Sequence, residues 1–278
     1  MPTANPMPQP APGTAGDGPL IVTRDGAVAV LTMNRPKARN ALAESLIDAL
    51  GEAFEAISAD RDIKAVVLTG APPAFCAGHD LREMTEARGH ADRGRAYFET
   101  IFAKCSAVMQ AIVACPKPVI AAVEGIATAA GCQLVATCDL AVAADTARFS
   151  TPGVNIGLFC STPMVALTRN VPPKHAMEML LTGEMADAAR AERIGLVNRV
   201  VPEGKALGAA TAFARQIADK SPLTVKTGKE AFYRQREMPL AEAYAYTARV
   251  MTENMLARDA EEGIGAFLDK RKPVWTGE

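Results

Sequence analysis

Three short stretches, Ala65 to Thr69, Val119 to Val123 and Leu140 to Ala144, are apolar at nearly every position. Runs of this length without polar alternation read as strands buried on both faces, the pattern of a parallel sheet covered by helices. Elsewhere the apolar period lengthens. Leu42, Leu46, Ile47, Leu50, Phe54 and Ile57 recur at helical spacing, and Asn40 is the expected N-cap of that helix. Before it, Leu20 to Arg24 and Ala27 to Met33 read as a hairpin joined at Asp25-Gly26 in a type I′ turn.

A polar helical region is expected from Leu81 to about Arg93, then an amphipathic helix from Tyr97 to Val113 that Pro116 and Pro118 stop. Phe149 to Gly157 has no regular period and reads as loop. Helices are expected near 174–181 and 187–192, with a strand at 196–201. Four more helices follow, near 205–218, 222–234, 240–257 and 260–271, with Ser221-Pro222 a start signal for the second. Strand–turn–helix units recur near 28–57, 65–93 and 119–137, which suggests stacked copies of one α/β unit.

Two of the strands run into turns of small residues, Ala77-Gly78-His79-Asp80 and Thr128-Ala129-Ala130-Gly131, the second leading into an apolar helix. Such a turn brings backbone N–H groups to a helix N-terminus with no bulky side chain in the way, a site for an oxyanion or a phosphate. Small residues there equally suit close packing of two elements. If the two strands are neighbours, the N–H groups of His79 and Ala130 converge on one oxygen. Losing one donor of such a pair typically costs ~2.7–4 kcal/mol of barrier.

Charge and composition narrow the classes. Thirty basic and 31 acidic residues give a net charge of −1, and no block of like charge reaches five residues, so no nucleic acid or anionic membrane is expected as partner. No apolar run approaches the ~20 residues of a spanning helix. The start, MPTANPMPQPAPGTAGDG, lacks the features of a secretory signal and has no Arg before Arg24, so a cytoplasmic location is expected. Residues 1–18 read as a disordered Pro/Ala/Gly tail. Six cysteines without CxxC spacing read as buried free thiols, and three unpaired histidines give no reason to expect a metal.

Four segments in order, LTMNRPKARNAL (31–42), AVVLTGAPPAFCAGHDLREM (65–84), KPVIAAVEGIATAAGCQLVATCDL (117–140) and LLTGEMADAARAERIGLVNRVV (180–201), resemble the enoyl-CoA hydratase/isomerase (crotonase) superfamily. The similarity runs from about Leu20 to the C-terminal EGIGAFLDKRKPVW. Within it, ATAAGCQLVATCDLAVA with FSTPGVNIGLFCSTP is most similar to the branch called enoyl-CoA hydratase domain-containing protein 3. The resemblance implies an α/β fold, a crotonase-like spiral of repeated ββα units over 19–203, with a C-terminal helical region over 204–278 that helps build a homotrimer or hexamer. It implies an acyl-CoA thioester as substrate, coenzyme A entering as part of that substrate and no separate cofactor. The thioester oxygen is then expected between the N–H groups of His79 and Ala130. Lys37, Arg39, Ala77, Asp80 and Leu81 match positions near the CoA moiety, and Phe267 and Lys270 match the region that reaches its nucleotide end.

The departures from that pattern bear on the reaction. Hydratases place two glutamates where this chain has Gln133 and Gly153, and neither residue can take up a proton near neutral pH. Each general acid–base contribution is worth ~10²–10⁴ in rate, so little hydration is expected. Glu124 ends the strand before the turn and is no substitute by spacing. His79 can lend its N–H alone or steer a proton or carboxylate with its ring. Gln133 can orient a water or the acyl chain, or simply pack. Asp80 is expected to cap the helix that follows it. Cys160-Ser161-Thr162 has no neighbouring His to activate a nucleophile and reads as structural, and Met84, Phe98 and Phe102 read as pocket wall or core. The expected function is acyl-CoA processing with standard hydration in doubt, the alternative being a non-catalytic acyl-CoA-binding or regulatory protein.

Overall fold

The structure, a computed structural model, describes residues 18–278, so the tail expected over 1–18 lies outside the described residues except for Gly18. The chain opens with strands β1 (Leu20–Asp25) and β2 (Val28–Met33), helix α1 (Glu44–Ala59) and strand β3 (Ala65–Gly70). Helices α2 (Leu81–Ala87) and α3 (Arg95–Ala114) lead to β4 (Val119–Val123), β5 (Ile126–Thr128) and helix α4 (Ala130–Thr137). Next come β6 (Leu140–Ala144), β7 (Arg148–Ser150), α5 (Ser161–Asn170), α6 (Pro173–Thr182), β8 (Ala186–Asp187), α7 (Ala188–Arg193) and β9 (Arg199–Val201). Four helices end the chain: α8 (Ala206–Ala218), α9 (Pro222–Gln235), α10 (Leu240–Met255) and α11 (Arg258–Leu268).

One sheet has the order β1-β2-β3-β4-β6-β9 and a second the order β5-β7-β8. In the first, β1 and β2 form an antiparallel hairpin and every other pair is parallel. Single bridges extend the second layer, Leu42 pairing with His79 and Cys76 with Ala127. Each turn of the chain thus leaves one strand in the first layer, a shorter segment in the second and a helix outside. This is the expected spiral of ββα units.

The all-apolar strands are explained by two covered faces. Leu31, Val66, Leu68, Ala121 and Val123 face a core shared with α1, α3 and α4, while Val30, Val67, Ile120 and Val142 face Ala210 and Ala214 of α8. So α8, expected as the first helix of the C-terminal region, covers the sheet's second face. Lower down, Lys229 ties α9 to the rest: its ammonium donates to the carbonyls of Ile112 and Lys117 and to Asp139 Oδ2 at 2.7 Å. Among the described residues no helix is long and apolar enough to cross a membrane.

Several local expectations change. Asn40 is not the N-cap of α1, which starts at Glu44 after Ala43. It is fully buried in a left-handed conformation, φ 54°, and its amide instead joins Arg35 N, Ala71 O and Ala74 O. Leu42 also precedes the helix, where it bridges His79. The first hairpin turns at Gly26 and Ala27, because Asp25 pairs with Val28, and only Gly26 has positive φ where a type I′ turn needs two. The segment expected as loop, 149–157, carries β7 and a 3₁₀ turn over Pro152–Ile156, while the polar helix after Leu81 stops at Ala87.

Candidate active site

The two small-residue turns meet because their strands pair. Cys76 bridges Ala127, Thr128 N donates to Cys76 O at 3.0 Å and Thr128 Oγ1 to Ala77 O at 3.1 Å. Glycines allow the approach: a Cβ on Gly131 would sit 2.1 Å from Cys76 O, and one on Gly78 would sit 2.9 Å from Ala129 Cβ and 3.3 Å from Ala130 N. Ala129 itself is held at φ 51°, ψ −118°, a conformation that costs a non-glycine residue roughly 1–3 kcal/mol. Its N–H is fixed by Ser150 O at 2.9 Å, and the next N–H, that of Ala130, opens α4.

Neither His79 N–H nor Ala130 N–H meets an acceptor among the described residues. The flanking backbone is fully used: Leu42 N donates to Gly78 O at 2.7 Å, and Asp80 N donates to Leu42 O at 3.1 Å. Two unpaired donors therefore stand on adjoining turns, one of them on the positive end of a helix, an arrangement suited to a developing negative charge.

Side chains around the turns divide into occupied and unoccupied. Asp80 caps α2 by accepting from Arg82 N at 3.0 Å and pairs with Arg35 at 2.8 Å. Burial works to raise its carboxyl, but these bonds outweigh that and hold it below the usual carboxylate range. Arg35 was not singled out in the sequence, since no spacing relates it to Asp80. The His79 ring stacks edge-on against Phe102, centroids 5.4 Å apart, and its buried Nε2 has no partner. Burial lowers the pKa of this imidazole to about 4, so it is neutral near pH 7.

Buried and equally without a partner are Gln133 Oε1, Ser150 Oγ and Thr151 Oγ1. The two hydroxyls were not among the expected site residues; only their place within the FSTPG stretch hinted at them. Gly153 lies next to Cys160, whose thiol would be 3.0 Å from a Cβ on residue 153, and Leu158 O would be 2.7 Å away. Burial pushes the thiols of Cys76 and Cys132 up to about 12 and raises that of Cys160, so none supplies a thiolate at neutral pH. Glu124 is committed elsewhere, accepting from Gly204 N and Ala206 N at the start of α8.

Of the other expected positions, Lys37 and Arg39 are exposed beside Ala77, whose N–H donates to Arg39 O at 3.0 Å, and Leu81 is half-exposed. Phe267 and Lys270 lie at the exposed C-terminal end of α11, and no bond joins them to the two turns within one chain. A cavity of about 1080 Å³ lies under α9, with Gln133 and Thr137 of α4 on its wall.

A family model described as Enoyl-CoA hydratase/isomerase matches residues 23–278. Human enoyl-CoA hydratase domain-containing protein 3, mitochondrial, is 47% identical over 248 residues, 89% of this chain and 80% of that protein. The crystal structure of an enoyl-CoA hydratase from Mycobacterium smegmatis is similar with a TM-score of 0.88 at 51% identity, covering 93% of this chain and 99% of that one. The crystal structure of human enoyl-CoA hydratase domain-containing protein 3 gives a TM-score of 0.88 at 44% identity, covering 92% of this chain and 100% of that one. A match over nearly every described residue, with relatives this similar in sequence and fold, means that the chain belongs to the enoyl-CoA hydratase/isomerase family.

Proposed function

We propose that the chain binds an acyl-CoA thioester and polarises its carbonyl between the N–H groups of His79 and Ala130. The observation that carries this reading is the pair of unpaired main-chain donors on adjoining turns. Lys37, Arg39, Ala77 and Leu81 then face the CoA moiety, and Asp80 contributes by holding its turn. Phe267 and Lys270 reach the nucleotide from a neighbouring copy in a homotrimer or hexamer. Six buried free thiols suit a reducing compartment such as the cytoplasm.

Standard hydration is not the reaction. Gln133 has no proton to exchange near neutral pH, and position 153 has neither a carboxylate nor room for one without moving Leu158. Chemistry that needs only a stabilised enolate or tetrahedral oxyanion, such as decarboxylation or thioester hydrolysis, remains within reach of the two donors. The neutral ring of His79 can donate or accept one hydrogen bond there. The missing carboxylates also favour a second reading, a non-catalytic acyl-CoA-binding or regulatory protein.

Isothermal titration with butyryl-CoA, beside a crotonyl-CoA hydration assay, tests this. Saturable binding without hydration is expected, and Gly78→Ala should weaken binding at least about 10-fold, because its Cβ would meet Ala129 Cβ at 2.9 Å and force the two turns apart. Gln133→Glu should raise hydration slightly at most, and adding Gly153→Glu should cost stability rather than restore turnover. Absence of acyl-CoA binding would sink the thioester reading; brisk hydration by the unaltered chain would sink the exclusion of hydratase chemistry. Turnover of a malonyl-type or simple thioester separates the enzyme from the binding protein.

A further inference from the structure

We infer that Gln133 and Thr151 select an acyl group that carries a hydroxyl on its second or third carbon. The inference rests on the thioester reading above and names the kind of acyl group that site takes. Among the described residues, four buried side-chain atoms lack a hydrogen-bond partner: His79 Nε2, Gln133 Oε1, Ser150 Oγ and Thr151 Oγ1. Folded chains leave few such atoms, and each calls for an occupant. Here all four belong to segments that meet at the two donor turns.

The second layer aligns these segments. Cys76 bridges Ala127, and Thr128 pairs with Ser150 in parallel, so three segments end side by side, about 4.8 Å from one to the next. His79 and Ala130, the proposed carbonyl donors, follow the first two. Thr151 follows the third, directly after Ser150, whose carbonyl holds Ala129 N–H at 2.9 Å. Gln133 stands three residues beyond Ala130 on the same face of α4, a rise of about 4.5 Å. Helix α3 closes the side: Phe102 packs on the His79 ring, and Met109, seven residues on, accepts from Thr137 Oγ1. Both selecting side chains are thus rooted about 5 Å from Ala130 N–H. Two or three bonds of ~1.5 Å carry the acyl chain from its carbonyl carbon to such an oxygen, within hydrogen-bond reach of both.

The chemistry of the four atoms narrows the occupant. Gln133 Oε1 only accepts, so the guest must donate, whereas the Thr151 hydroxyl can donate and accept. None of the four groups is charged, since burial keeps the His79 imidazole neutral near pH 7, and Asp80 on the same turn is already paired with Arg35. A carboxylate would find no counter-charge among them. An alkyl group would leave each atom desolvated and unbonded. A hydroxyl accepts from Thr151 and donates to Gln133.

Calorimetric titration of the full chain with butyryl-CoA, 2-hydroxybutyryl-CoA and both enantiomers of 3-hydroxybutyryl-CoA tests this. At least one hydroxylated thioester should bind about 10-fold more tightly than butyryl-CoA, the effect of one or two neutral hydrogen bonds. The tightest of the three identifies the carbon. High salt should leave the ratio unchanged, because no charge is involved. Thr151→Val and Gln133→Leu, each similar in volume to the residue replaced, should lower the ratio several-fold. Butyryl-CoA should bind both variants at least as tightly, since fewer polar atoms then face hydrocarbon; a misfolded variant would lose every ligand, and thermal unfolding identifies it. Equal affinities for all four thioesters would mean that ordered water alone fills the site. A ratio unchanged in both variants would place the hydroxyl elsewhere. Either result overturns the assignment and leaves the thioester site standing. If no thioester binds, both fall.

Discussion

The His79 imidazole shows what one buried side chain costs and offers. Its folded pKa of about 4 lies below the ordinary 6.5, so between those values the ring is neutral in the fold and protonated in the unfolded chain. Unfolding then takes up a proton, and stability rises with pH across that window. The contribution is fully present above pH 6.5 and is lost as pH falls toward 4. Between pH 7 and pH 4.5 it amounts to about 2–3 kcal/mol. Urea unfolding at these two pH values should therefore show a smaller stability difference in His79→Phe than in the unaltered chain. Identical differences would show that His79 is not the group responsible. Asp80 titrates lower, below its ordinary 3.8, and stays out of the window.

Helices α4 and α9 each carry one contact that tolerates little change. For α4 the contact is close backbone approach at Gly131, where any side chain would strike Cys76 O. For α9 it is Lys229, whose side chain is 7% exposed and whose partner Asp139 is 15% exposed. Asp139 also accepts from Val119 N and the Tyr233 hydroxyl, so it cannot turn away to solvent. Lys229→Met leaves that carboxylate without its cation and should cost about 3–5 kcal/mol. Limited proteolysis within 222–235 should accelerate in step, because α9 is the element released. A loss under about 1 kcal/mol with unchanged proteolysis would mean that packing alone holds α9.

At the scale of the whole molecule, the outer face of the last two helices stands out. Tyr244, Leu256, Phe267 and Leu268 are each more than 70% exposed, and Met251 and Met255 lie on the same helix as Tyr244. Scattered apolar residues are normal on a surface, but a run of them along two helices is what the proposed homotrimer or hexamer would cover. Light scattering on the purified chain should give three or six times the mass of one chain. Leu256→Glu with Phe267→Glu should yield monomers and weaken CoA-thioester binding, because Phe267 and Lys270 reach the nucleotide only from a neighbour in the proposed arrangement. A monomer in the unaltered chain would remove that arrangement.

The repeated strand–turn–helix units, the helices after residue 204 and the small-residue turns were legible along the chain because each depends on neighbours in sequence. Two-sided burial forces an unbroken apolar strand, and helical spacing forces a stripe. That Asp80 caps the next helix was equally local, a carboxylate two residues from the N–H it accepts. Asn40 shows the limit: its type suits a cap, yet Ala71 and Ala74, more than thirty residues away, claim its amide. Sequence alone determined which N–H groups could face an oxyanion and that residues 133 and 153 carry no acid. Only the tertiary structure decided that the two turns adjoin and that position 153 is closed off by Leu158. Those outcomes depend on contacts between segments far apart in the chain, where the energy comes from packing and partner choice rather than local propensity.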